Sequence, residues 1–352
     1  MHHSRVMAGA MTLLLLSAPA SWAATPQKEK AVTTAEPFEG VVIAEGLSAP
    51  WDMVWGPGNH IWVSEREGSR ITSVDPETGE KKLVGSIPDV KVGPQHEGVL
   101  GIALDPDLGK NGSKNNVYVA HTYMDGGREH ARIVRFHYDP QTRKIADPKV
   151  ILSNMPAGDD HNGGRLRFGP DGKLYYSIGE QGHNQGANVC KPIDAQRIPT
   201  SVPQQKETEW KAEDFREPIK TFYTVPNSYN FRDGRCGDMA YLCWPTIAPS
   251  SVAYYPANGP IPGWGNSLLV TSLKNGALYR VPLNADGKTA QGDVTKYFHT
   301  PNRYRSALVS PDGKTIYVAT DVRGNALGND GKPVNDMKNP GSIIAFIYDA
   351  KQ

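Results

Sequence analysis

The chain has 352 residues and a formal net charge of +1. That near-neutral balance excludes the strongly basic field of a nucleic-acid binder or a membrane-surface protein. With 36 glycines and 28 prolines, the composition favours many tight turns over long helices, and the length suffices for one large β domain or two smaller ones.

In chain order, the first expected element is an export signal over residues 1–23. His2, His3 and Arg5 precede an apolar run over 6–18, and Ser21 and Ala23 flank a cleavage point. The run is too short to span a bilayer, an uncleaved anchor being the alternative. Residues 24–37 are polar and read as a flexible lead-in. No other stretch is apolar enough to span, so a periplasmic or secreted protein is expected, with no membrane span after cleavage.

One domain is expected over 38–352. Strand signals at 50–55 lead through Gly56-Pro57-Gly58-Asn59 to 61–65, then to 70–74. The same order recurs. Residues 166–168 lead through Gly169-Pro170-Asp171-Gly172 to 174–178, and 307–309 through Ser310-Pro311-Asp312-Gly313 to 315–319. Looser copies lie at 101–104 with 116–120, and at 252–255 with 267–271 and 277–281. Repeated all-β units of about 40–50 residues indicate propeller blades. A β-sandwich would explain the alternation but not one turn chemistry recurring at one position. Residues 186–229 break the rhythm with polar, proline-punctuated sequence.

Chemistry concentrates in Asp159-Asp160-His161-Asn162-Gly163-Gly164-Arg165 and, one strand later, in Gly179-Glu180-Gln181-Gly182. A histidine beside a carboxylate is the minimum for a general base with a fixed tautomer, while solvated surface is the alternative for such a triplet alone. Arg303 and Arg305, two apart at a strand end, project to one side and can hold carboxylates, and Lys274 adds a point charge able to polarise an oxygen. Surface charges and a turn lysine are the alternatives. Cys236 and Cys243 close a loop short enough for a disulfide, a metal pair being the alternative, and Cys190 is left as a free thiol. Trp51, Trp55 and Trp62 are assigned to core packing, and Asp105-Pro106-Asp107 to a turn rather than a calcium loop.

Five segments in this order resemble the soluble, pyrroloquinoline-quinone-dependent glucose dehydrogenases of the glucose/sorbosone dehydrogenase family. They are His161-Asn162-Gly163-Gly164-Arg165-Leu166; Gly179 to Gln185; C-G-D-M-A-Y-L-C-W-P-T from Cys236; Ser272-Leu273-Lys274-Asn275-Gly276; and Asn302-Arg303-Tyr304-Arg305. The likeness covers nearly all of 41–348. It implies a six-bladed β-propeller that oxidises the anomeric hydroxyl of glucose-like aldoses to lactones, passing electrons through PQQ to an external acceptor. By resemblance His161 is the base, with Asp160 beside it and Glu180 standing where the family has an orienting aspartate. Lys274, Arg303 and Arg305 form the cationic clamp on the quinone, Thr246 and Trp244 line the same pocket, and Cys236–Cys243 matches a family disulfide. His96, Gln185 and Tyr241 are the expected sugar contacts, His96 replacing a glutamine.

The sequence departs from the family near Ser201-Val202, where about two blades' worth of chain is absent. In the family that part carries a G-H-R-N-P-Q-G motif and the carbonyls that bind a catalytic calcium. No such motif occurs here, so no residue is assigned as a metal ligand. An incomplete all-β propeller is therefore expected, with sheet edges that invite association as a homodimer. The alternative function is a propeller that binds sugar or a partner without turnover.

Overall fold

The computed structural model describes residues 38–110, 113–179, 213, 218–223, 225, 234–328 and 330–349. The expected signal and lead-in, Glu180, Gln185, Cys190 and the junction near Ser201 lie outside them.

Strand β1 (Phe38–Ala44) is followed by a complete antiparallel blade of β2 (Pro50–Trp55), β3 (Ile61–Glu65), β4 (Arg70–Val74) and β5 (Lys81–Ser86). A second blade comprises β6 (Val99–Leu104), β7 (Asn116–Asp125), β8 (Arg128–Asp139) and β9 (Lys144–Pro156). Next, β10 (Gly163–Phe168) and β11 (Leu174–Ile178) pair as a two-stranded sheet. A 3₁₀ segment at Gly234–Cys243 leads to the blade of β12 (Pro249–Tyr255), β13 (Ser267–Ser272), β14 (Ala277–Pro282) and β15 (Thr295–Tyr297). The last blade joins β16 (Tyr304–Val309) and β17 (Thr315–Thr320) to a C-terminal strand, reached after the short pair β18 (Ala326–Leu327) and β19 (Pro333–Val334). That strand, β20 (Ile343–Tyr348), pairs with β1 in the order β1-β20-β17-β16, so one sheet ties the two ends of the described chain together. The result among the described residues is a propeller-like array of four four-stranded blades and one hairpin, β10-β11, with the all-β class expected from the sequence.

The blades form because their second strands are buried on both faces. All five residues of β3 are buried, as befits a strand with another sheet on either side. Neighbouring blades share a core at each junction. Trp62 and Ile71 pack with Val99, Val119 and Phe136, and Met53 and Val63 pack with Tyr317 and Ala345 on the other side. Tyr255, Trp264 and Leu278 meet Tyr304, Ile316 and Phe346, while Leu100, Ala120 and Ile133 meet Leu166. Each such fully buried side chain contributes about 1.5–3 kcal/mol. Strand β9 is exposed almost throughout and carries Pro148. An edge strand of that kind lacks apolar alternation, and for that reason the repeat pattern passes over it.

The turn at Gly169-Pro170-Asp171-Gly172 is present, closed by Gly172 N–H on Gly169 O at 3.0 Å, with Gly172 at φ +73°. The glycine pair has a second use. Gly164 sits at φ +88°, and a Cβ there would stand 2.6 Å from Leu100. Only glycine lets β10 lie this close to β6.

Where β2 meets β6 and β10, Asp52 is fully buried. It pairs with Arg165, takes two bonds of 2.8 Å from Arg167, and accepts the Ile102 N–H at 3.3 Å. Arg165 reaches Trp51 O at 2.9 Å, Arg305 O at 2.7 Å and Ser250 O at 3.4 Å. One guanidinium thus links the inner strands β2, β16 and β12 to its own β10. Burial pushes the Asp52 carboxyl up, but Arg167 and Arg165 hold it below the ordinary aspartate value.

Candidate active site

In an antiparallel blade the first strand begins where the second ends. The chain places its reactive groups at those positions. Trp51 opens β2 and Arg66 follows β3. His96 precedes β6, His161 precedes β10, and Arg303 and Arg305 stand at the start of β16. Asp321 and Arg323 follow β17, and Lys274 follows β13. Side chains more than two hundred residues apart in sequence therefore share one face, while the Pro-Asp-Gly turns occupy the other.

A cleft of about 210 Å³ opens there, lined in part by Arg66, His96, Arg303, Arg305, Asp321 and Arg323. Arg305 and Arg303 both meet Asp321 Oδ2, at 2.5 and 3.5 Å. Arg303 also donates to Asn325 O at 2.7 Å. Arg66 pairs with Glu67, whose carboxylate is grasped by Arg323 at 2.6 and 3.0 Å. Four guanidiniums thus face two carboxylates. The Nε atoms of Arg66 and Arg305 are buried without a hydrogen-bond partner. Burial pushes the Asp321 carboxyl up, and Arg305 and Arg303 more than offset it, so its value is lowered. Burial likewise lowers the Arg66 and Arg303 guanidiniums, which remain cations at neutral pH because their ordinary value is so high. The cleft carries net positive charge and unused donors, the features of an anion site.

Beside the arginines sits a histidine pair sharing one carboxylate. Asp160 Oδ1 lies 2.7 Å from His96 Nδ1 and 3.4 Å from His161 Nε2. The two imidazole rings stack at 5.5 Å with 26° between planes. The His161 N–H points at the same pair, 2.9 Å from Asp160 Oδ1 and 2.7 Å from His96 Nδ1. His161 itself is held at φ +44°, in the left-handed region that histidine enters more readily than most side chains. Asn162, 1% exposed, bonds Gly158 N–H at 2.9 Å, Gly158 O at 2.6 Å and His96 O at 3.1 Å. The loop is thus rigidly docked on the segment that carries His96. Burial lowers the His96 imidazole, the Asp160 hydrogen bond opposes that, and Arg305 reinforces it.

The profile of one family, Glucose / Sorbosone dehydrogenase, matches residues 47–197 and 230–329. The chain belongs to the glucose/sorbosone dehydrogenase family. Quinoprotein glucose dehydrogenase B of Acinetobacter calcoaceticus is 31% identical over 474 aligned residues, covering 97% of each chain. That alignment is longer than the 352 residues here, so part of the relative's length faces a gap. Aldose sugar dehydrogenase YliI of Escherichia coli (strain K12) is 20% identical over 338 residues, covering 80% of this chain and 89% of that one. In fold, the chain is similar to the PQQ-bound Aldose Sugar Dehydrogenase of Streptomyces coelicolor, with a TM-score of 0.60 at 22% identity, covering 90% of this chain and 100% of that one.

In this family member the structure brings together five of the site residues expected from sequence: His96, Asp160, His161, Arg303 and Arg305. Lys274, Trp244 and Thr246 form a second group outside the cleft lining. Lys274 Nζ donates to Trp244 O, and the Thr246 N–H donates to the same oxygen at 2.8 Å. Burial, with the charge of Arg235 second, pushes the Lys274 ammonium down to about 8. Tyr241 connects the groups. Its hydroxyl accepts from Asn325 Nδ2 at 2.7 Å, and Asn325 O receives Arg303. The disulfide Cys236–Cys243 closes the segment that carries Tyr241.

Sequence reasoning missed Arg66, Arg323 and Asp321. Trp51 is buried in the core with Leu100 and Leu166, as expected, and in addition lies under Arg305 at 4.4 Å and edge-on to His96 at 5.5 Å. The available signal was positional. Arg66 and Asp321-Val322-Arg323 each follow a second strand, as Glu180 does after β11.

Proposed function

We propose that the chain is an exported, PQQ-dependent dehydrogenase that oxidises the anomeric hydroxyl of glucose-like aldoses to the lactone and passes electrons to an external acceptor. The observation that carries this reading is the cleft in which four arginines, two with buried unpartnered Nε–H groups, border a histidine–carboxylate pair. Excess guanidinium charge with unused donors fits a flat tricarboxylate, so the residues present suit the cofactor. Family membership and the quinoprotein relative support the same chemistry. Export is supported by the signal pattern at the N-terminus. Among the described residues, no helix is long and apolar enough to cross a membrane.

Pyrroloquinoline quinone, when bound, supplies a two-electron acceptor for the anomeric C–H bond. The chain's own groups do the rest. Arg303 and Arg305 hold carboxylates in the cleft, with Asp321 Oδ2 anchoring both guanidiniums. His161 takes the hydroxyl proton on its imidazole, and Asp160 fixes the tautomer and steadies the charge that develops. Trp51 supports Arg305 from beneath, out of the buried core. Calcium, also implied by the resemblance, takes six to eight oxygen ligands. The cluster of His96, Asp160 and His161 offers two nitrogens and one carboxylate, which does not fit it, and the proposed steps run through side chains alone.

The test is reconstitution. The purified chain is titrated with the quinone in calcium-containing buffer, then assayed for dye reduction with an aldose. His161→Asn is expected to bind quinone normally while kcat falls by about 10²–10⁴-fold, and Arg305→Met to lose quinone affinity. A chain that binds no quinone would remove this reading and leave binding without turnover.

A further inference from the structure

We infer that His96, Asp160 and His161 form a binding site for one divalent transition-metal ion of the zinc or copper type. Their ligand atoms, one from each residue, all lie within 4.8 Å of one another. Metal–ligand bonds of about 2.0–2.2 Å place neighbouring donors somewhat closer than that, so a small turn of the rings closes the set. Two imidazole nitrogens and one carboxylate are the donors of borderline cations, and three protein ligands leave positions open to water. Hard cations that need a shell of oxygens are excluded by the same count.

The frame exists without the ion. Asn162 bridges Gly158 and His96 O, and the His96 N–H donates to Asp159 O at 3.1 Å. The two ligand-bearing loops are therefore fixed to each other before any metal arrives, which lowers the ordering cost of binding. The side chain of His161 is 44% exposed, so the site has an entry path. Arg305 and its neighbours oppose any cation nearby, and this repulsion selects ions that bind nitrogen strongly over those that bind by charge alone. The consequence for catalysis rests on the reading of His161 as the base: an ion on its imidazole occupies the lone pair that would accept the substrate proton, and the enzyme is inhibited.

The experiment measures binding apart from turnover. The full chain, free of quinone, is titrated with Zn²⁺ against a chromogenic chelator, in parallel with His96→Gln. The native chain should bind one more equivalent, or bind it at least about tenfold more tightly, since loss of a ligand costs no less than loss of its support. His2, His3 and the remaining histidines are common to both chains and cancel in the comparison. Equal stoichiometry and affinity in a folded variant would overturn the site. Should His96→Gln not fold, diethyl pyrocarbonate labelling of the native chain decides the matter. One equivalent of Zn²⁺ should slow modification of His161 and His96 at least tenfold, and unchanged labelling would overturn the site. Zinc that binds there without inhibiting dye reduction would count against His161 as the base while the site stands.

Discussion

The guanidinium of Arg305 lies 4.4 Å from the centre of the Trp51 ring. Arg305 belongs to β16 and Trp51 to β2, so the contact joins two adjacent blades at the rim of the cleft. The Trp51 Nε1–H reaches a third sheet through Gly163 O at 3.3 Å.

Trp51→Ala should therefore cost about 3–5 kcal/mol of stability, as buried aromatic truncations do, and weaken quinone binding by freeing Arg305. Trp51→Phe keeps the ring face and loses the N–H, at a cost of about 1 kcal/mol. Urea denaturation of both variants checks this. A loss under 1 kcal/mol for the alanine variant would show that the indole does not hold the three sheets together.

Lys274 makes a pH prediction. With its ammonium pushed down to about 8, it is charged below that pH and neutral above it. An anionic ligand drawn to this charge binds best below pH 8. Its affinity falls above that point by up to about tenfold per pH unit, because binding then requires uptake of a proton. Quinone titrations between pH 6.5 and 9.5 should show the inflection in the native chain and lose it in Lys274→Met. A flat native profile would place Lys274 outside the clamp.

Asp52 makes a prediction about acid stability. Its carboxyl is lowered in the folded chain, so the stabilisation from Arg165 and Arg167 is present above the unfolded value and lost as pH falls through the folded one. At neutral pH Asp52→Asn should cost about 3–5 kcal/mol, since it strands the Arg165 and Arg167 guanidiniums. The gap between native and variant should close as pH drops below 3.8, the ordinary aspartate value. Thermal melts across pH 2.5–7 would show it. A gap that stays constant would mean that the bond to Ile102, not the charge, matters.

Much of this protein could be read locally. β2, β3 and β11 lie where strand-forming runs meet the Gly56-Pro57 and Gly169-Pro170 turns, because such a turn marks a strand's end whether the strand is buried, as β3 is, or half-exposed, as β11 is. Arg303 and Arg305 were legible as a pair because strand pleating sends alternate residues the same way. Cys236 and Cys243 were legible because a short loop leaves the thiols few other partners. Blade repeats indicated a propeller, and the five family motifs pointed to one of its members.

Which strand ends meet was decided only by the packing of blade against blade. Arg323 grips Glu67 across 256 residues of sequence, and Arg165 touches three inner strands at once. Neither contact has a local signature, since an arginine after a strand looks alike whether it faces solvent or a cleft. The shared carboxylate of Asp160 between two histidines is of the same kind. Sequence placed His161 beside Asp160, but only the approach of the β6 blade to β10, permitted by Gly164, carried His96 to the other side of that oxygen.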